Sequence, residues 1–171
     1  EKGLKQPTEI QSKAMPALLE GRSLVGVAET GSGKTLSYAL PVLHRLKSLE
    51  NEGKKIRVDG QPRAAVIVPT RELGEQVAKV FKPFTHETRL RVRSLLGGTT
   101  MEVARRSVTG SFEILVATPG RLVQFLEKGL VSLSDVRTLV FDEADQIMDQ
   151  GFFPDTARIA ASCPEDVQMA L

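Results

Sequence analysis

The sequence predicts an α/β domain: a doubly wound, mostly parallel sheet with helices on both faces. Three observations carry that expectation. Short apolar runs rich in β-branched residues alternate with stretches of helical spacing along the chain, the pattern that βαβ crossovers produce. The runs are apolar throughout and do not alternate with polar residues, as in strands buried on both faces. Five motif-like loops also follow these runs, and in such a sheet the loops after the strands gather at one edge.

The elements follow in order. Thr8 is a helix cap ahead of "EIQ". "SLVGVA" (23–28) reads as a strand and leads into "AETGSGKT" (28–35), where a helix begins. The polar stretch 48–63 has no clear period and reads as an exposed loop; its Lys54–Lys55 pair is read as solvated. "AAVIVP" (64–69), "LRVRSLL" (90–96), "FEILVA" (112–117) and "TLVF" (138–141) are the remaining strands. Their trailing loops are "PTREL", "GGTT", "ATPGR" and "DEAD".

Composition narrows the class. The 171 residues fit one domain, large enough to bury roughly 70% of its unfolded surface. Hydrophobic residues make up 41% and charged residues 26%, and the formal net charge is +2. A polyanion must therefore be met by local features and not by a general positive field. One cysteine, Cys163, cannot form an internal disulfide and favours a reducing compartment. No apolar run reaches the ~18 residues of a membrane span. The expected location is cytoplasmic, with no membrane partner.

Two loops carry the chemistry. Gly31 and Gly33 in "AETGSGKT" let the backbone turn tightly, so that N–H groups from Thr30 through Gly33 point at phosphate oxygens. Lys34 then reaches the β- and γ-phosphates, and the Thr35 hydroxyl ligates Mg²⁺. The helix N-terminus adds positive potential. In "TLVFDEAD", Asp142 at the strand tip suits a hard cation held largely through water. Glu143 is placed to orient or deprotonate an attacking water. Asp145 is expected to pair with basic groups and not with metal. Lys34, Asp142 and Glu143 are the catalytic candidates of one ATP-type site.

"PTEIQ" (7–11), "AETGSGKT", "PTREL" (69–73), Gly97–Gly98, "TPGR" (118–121) and "DEAD" (142–145) occur in the order and approximate spacing of DEAD-box RNA helicases. Over nearly its whole length the chain resembles the first of that family's two RecA-like domains, a P-loop NTPase unit. The resemblance implies an RNA-dependent ATPase that separates RNA strands locally, using ATP and Mg²⁺. It assigns adenine recognition to Gln11, whose amide offers the donor and acceptor that adenine requires. It assigns RNA contacts to Pro69, Thr70, Arg71, Gly97, Gly98, Thr118, Pro119, Gly120 and Arg121. Thr70 and Thr118 are good N-caps and Pro119 suits a first helical position. Helix starts with free N–H groups hold phosphates, and the arginines add charge-assisted bonds. Such contacts read no base sequence.

The chain departs from the family in four places. The aromatic expected upstream of the glutamine has no counterpart, since the chain begins ten residues before Gln11. Glu29 stands where Gln is frequent, and Gly74 where Ala is usual, a helix-propensity cost of ~1 kcal/mol. The chain stops at "QMAL", where the family continues into a Ser-Ala-Thr motif and a second RecA-like domain bearing the arginines that complete hydrolysis. Arginine fingers are worth ~10³–10⁵ in rate, so residues 1–171 alone are expected to bind nucleotide and be nearly inactive. A DNA translocase, an RNA clamp that does not unwind, and a small-molecule P-loop kinase remain as alternatives. Unidentified protein partners stay open. His44, His86, Cys163, Arg105 and Arg106 read as surface or packing residues.

Overall fold

The computed structural model describes residues 6–29, 31–54 and 58–171. Five strands pair in parallel throughout: β1 (Ala64–Ile67), β2 (Val92–Leu95), β3 (Ile114–Ala117), β4 (Thr138–Phe141) and β5 (Gln168–Ala170). Their order is β2-β3-β1-β4-β5. Helices α1 (Glu9–Leu19), α2 (Lys34–Asn51) and α3 (Arg71–Thr88) precede or follow the first strand; α4 (Met101–Ser107), α5 (Pro119–Glu127), α6 (Ala144–Asp149) and α7 (Phe153–Ala161) fill the later connections.

The apolar runs explain the layering. Every residue of β1, β3 and β4 is buried. Alternate side chains enter two separate cores, one on each face of the sheet. Ala65, Ile67, Leu115, Ala117, Leu139 and Phe141 pack with α4 through α7. Ala64, Val66, Ile114, Val116 and Val140 pack with α2 and α3. Successive strand residues point to opposite faces, so a run without polar positions is what a doubly covered strand requires. At the edge, β2 instead exposes Arg93.

Two sequence expectations are corrected. Residues 23–28 do not form a strand; one bridge joins Leu24 to Ala170. Leu24 N–H donates to Met169 O (3.0 Å), Leu171 N–H to Leu24 O (3.1 Å) and Gly26 N–H to Leu171 O (2.8 Å). No further ladder bond follows among the described residues, and Val25 and Val27 stay 74% and 94% exposed. Its partner β5 is a three-residue strand too short to stand out as a pattern. The stretch 48–63 is not one exposed loop. Residues up to Asn51 extend α2, while Gly60 and Pro62 are buried. Lys54 pairs with Glu52; Lys55 lies outside the described residues.

Gly74 also gains a physical reason. A Cβ there would sit 2.4 Å from Leu96 Cδ2 and 3.2 Å from Val68 Cγ2. The missing methyl lets α3 lie closely on the sheet, which offsets the propensity cost.

Candidate functional site

The phosphate loop is shaped by two left-handed glycines. Gly31 has φ 82° and Gly33 has φ 90°, conformations that strain any residue with a Cβ. Gly33 caps α2, and a Cβ on it would lie 2.5 Å from Gln11 Nε2. Ser32 N–H donates to Glu29 O (3.2 Å) and Ser37 N–H to Gly33 O (3.3 Å). The Ser32 hydroxyl is buried and has no partner among the described residues. The Lys34 ammonium has no hydrogen-bond or ion-pair partner among the described residues. Thr30 lies outside the described residues. An orphaned buried hydroxyl is costly unless a ligand satisfies it, and donors converging on a helix N-terminus match the chemistry of a phosphate.

The acidic loop leaves the neighbouring strand tip. Asp142 is 7% exposed, and its N–H donates to Ile67 O (2.9 Å). Its Oδ2 accepts a hydrogen bond from the Tyr38 hydroxyl at 2.7 Å. Burial first, and then the Asp142 charge and hydrogen bond, push the Tyr38 phenol well above its ordinary value, while a hydrogen bond with Thr35 acts in the opposite sense. Tyr38 therefore holds the carboxylate of Asp142, one of the two residues expected to share a cation. The sequence reading missed Tyr38. The available signal was its place one turn after Lys34 on an apolar helix stripe, because a buried phenol needs a partner for its hydroxyl.

Glu143 has φ 54° and ψ 51°, a left-handed conformation that costs a residue with a side chain free energy and gathers at functional sites. Its carboxylate accepts from Gln146 Nε2. Asp145 is exposed and makes no ion pair among the described residues, unlike the pairing expected. Lys34, Tyr38, Asp142, Glu143 and Asp145 line one cavity of about 320 Å³. Among the described residues, no three or more His, Cys, Asp or Glu side chains come together as a metal cage. A cation here would take few protein ligands and keep water and phosphate oxygens, as Mg²⁺ does.

Gln11 is 93% buried by its 7% exposure and is already engaged. Its Oε1 accepts from Thr8 N–H at 3.0 Å and its Nε2 donates to Gly33 O at 3.2 Å. One N–H and one lone pair remain for a base edge. The side chain thus ties the start of α1 to the phosphate loop.

The loops after β1, β2 and β3 meet at the same sheet edge and are tied to one another. Pro69 and Thr70 link β1 to α3, and the Thr70 hydroxyl caps that helix by accepting from Leu73 N–H (3.2 Å). Arg71 donates from Nε to Glu75 (2.9 Å) and from Nη1 to Gly98 O (3.5 Å). Thr118, expected as a side-chain cap of its own helix, instead accepts from Gly97 N–H at 3.1 Å. The Gly97 N–H is therefore not free for a phosphate. Pro119 and Gly120 open α5, and Arg121 Nη2 donates to Thr99 O at 2.6 Å.

The side chains set aside stay outside the site. His44 and His86 are exposed on α2 and α3. Arg105 and Arg106 are exposed on α4, Arg106 paired with Glu102. The half-buried Cys163 donates to Ile159 O, and burial pushes its thiol up to about 11.

With this geometry in place, known proteins match it closely. The model of the DEAD/DEAH box helicase family matches residues 8–171. The chain is 36% identical over 168 residues to the RNA helicase CrhR of Synechocystis sp., covering 98% of this chain and 32% of that protein. It is 41% identical over 172 residues to the ATP-dependent RNA helicase DeaD of Buchnera aphidicola subsp. Acyrthosiphon pisum, covering 100% and 27%. The crystal structure of a hypothetical ATP-dependent RNA helicase from Sulfolobus tokodaii superposes with a TM-score of 0.83 at 34% identity, covering 98% of this chain and 46% of that one. The chain spans about a quarter to a third of the length of the curated relatives it matches.

Proposed function

The chain belongs to the DEAD/DEAH box helicase family, and from that premise we propose that residues 1–171 are its first RecA-like domain, an ATP- and RNA-binding unit of an ATP-dependent RNA helicase. One observation carries the reading: Lys34, Asp142 and Glu143, separated by about a hundred residues in sequence, line a single cavity beside the Ser32 hydroxyl's loop.

In this proposal Lys34 and the backbone N–H groups of Gly31 and Gly33 hold the phosphates, and the Ser32 hydroxyl, whose own N–H is taken by Glu29 O, gains a partner. Thr35 and Asp142 hold Mg²⁺, which when bound offsets phosphate charge. Glu143 orients the attacking water and takes its proton. Gln11 reads adenine with its remaining donor and acceptor while anchoring Gly33. Thr70, Arg71, Gly98, Pro119, Gly120 and Arg121 grip RNA phosphates, and the Gly97–Thr118 bond holds two of these loops in register. The relatives are three to four times longer than this chain, which supports a second RecA-like domain of the same protein supplying the arginines for fast hydrolysis and strand separation. A reducing, cytoplasmic setting suits the lone half-buried Cys163. Among the described residues no helix is long and apolar enough to cross a membrane.

Calorimetry with ADP and then GDP, in Mg²⁺, for the wild type and Gln11→Ala, tests the nucleotide half. The expected result is a preference for ADP that disappears in the variant. Because Gln11 also holds Gly33, a loss of affinity that is equal for both nucleotides would assign it to loop anchoring only. Absence of binding by the wild type would overturn the site.

A further inference from the structure

A groove between α3 and the edge strand β2 belongs to none of the motifs above. Lys79, Lys82 and His86 run along α3, Arg89 caps its end, and Arg91 just before β2 and Arg93 within it line the groove from the other side. All six are exposed. With Glu75, the helix positions of Lys79, Lys82 and His86 fall at i+4, i+7 and i+11, a single face, and Arg89 caps the helix end. Like charges at such spacings weaken a helix, so the stripe asks for an anion. Arg91 has one, Glu113, at 2.8 Å. The charged side-chain groups of Lys79, Lys82, Arg89 and Arg93 have no hydrogen-bond or ion-pair partner among the described residues. The whole sequence carries a formal charge of only +2, so this concentration is local.

We propose that the groove extends the RNA path, taking the phosphates of single-stranded RNA that leaves the Arg71 and Gly98 loops. The inference rests on the RNA reading of those loops and adds a site beyond them. Continuity supports it: Glu75 lines the upper end of the groove and is the residue that holds Arg71, while Ser94 at the same end leads through two residues into Gly97–Gly98. From position 75 to 88 the helix rises about 20 Å at ~1.5 Å per residue, enough for several phosphates. No Phe, Tyr or Trp lines the groove, which fits backbone contacts and not base stacking. An acidic strand added to β2 is the rival occupant. It is disfavoured because the Ser94 carbonyl already accepts from Ser107 Oγ at 2.9 Å.

Fluorescence anisotropy with labelled oligouridylates of about 5 and about 12 nucleotides tests the proposal, since each phosphate contact steepens the salt dependence by roughly 0.7 in log–log slope. The wild-type chain is expected to bind the longer RNA at least about tenfold more tightly, with the steeper slope. Lys82→Glu/Arg89→Glu is expected to lose that gain and keep its affinity for the short RNA. Lys79→Ala/Arg93→Ala repeats the test with milder changes, and thermal melts check folding. Arg71→Ala is expected to weaken the short RNA. If the variants keep the length gain, or the wild type shows none while binding the short RNA, the groove proposal falls and the RNA reading stands. Binding of neither RNA overturns both. Polyglutamate binding lost in the variants, without a length gain for RNA, would assign the groove to an acidic peptide and overturn its RNA role.

Discussion

The proposed nucleotide side and the proposed RNA side of the sheet edge are built in opposite ways. The Ser32 hydroxyl and the Lys34 ammonium have no partners among the described residues. Around Gly97, Thr118 and Arg121 it satisfies its donors internally, each loop bonded to another. A buried polar group without a partner costs stability, so the first arrangement is tolerated where a ligand completes it. The second is a frame set before any ligand arrives. Tyr38 is the exception on the nucleotide side, a satisfied buried hydroxyl that fixes Asp142.

That exception offers the largest test. Tyr38 is the only tyrosine in a chain without tryptophan, so tyrosinate absorbance reports this phenol alone. In the metal-free folded chain its value is held well above 10.0. The folded state then keeps a proton that the unfolded chain has released, so stability is unchanged below pH ~10 and falls as pH rises through the folded value. Absorbance should rise only with unfolding; a free titration near 10 would break the picture. Tyr38→Phe should cost about 2 kcal/mol by removing a hydrogen bond to a charged group, read by denaturant melts.

Thr118→Val is next. It leaves the Gly97 N–H without its acceptor and should lower stability by about 1–2 kcal/mol. RNA affinity should fall while ADP affinity holds, and a parallel fall in both would mean that the two sides are not separate. The smallest effect is expected at Ser32. Removing an orphaned hydroxyl should leave the ligand-free chain equally or slightly more stable, by less than about 1 kcal/mol, while ADP binding weakens. A clear loss of apo stability in Ser32→Ala would show that the hydroxyl already has a partner.

Gly74 and Gln11 show how far local reading reaches. Helix propensity marked Gly74 only as a weakness; the clash that a Cβ there would make with Leu96, at 2.4 Å, shows its use. The capping pattern placed Gln11 at the start of a helix, but its bond to Gly33 crosses 22 residues. Neither partner is encoded in local spacing.

The sequence by itself determined the parallel α/β class, four of the five strands and the gathering of the motif loops, because burial on two faces demands continuous apolar runs and strand polarity sends their ends to one edge. Tertiary structure alone decided that residues 23–28 form a single bridge and that β5 pairs beyond β4. It also decided that Thr118 serves Gly97 and that Tyr38 reaches Asp142 across 104 residues. Those outcomes depend on which donor finds which acceptor after the layers pack, a choice made by distance in space and invisible to periodicity along the chain.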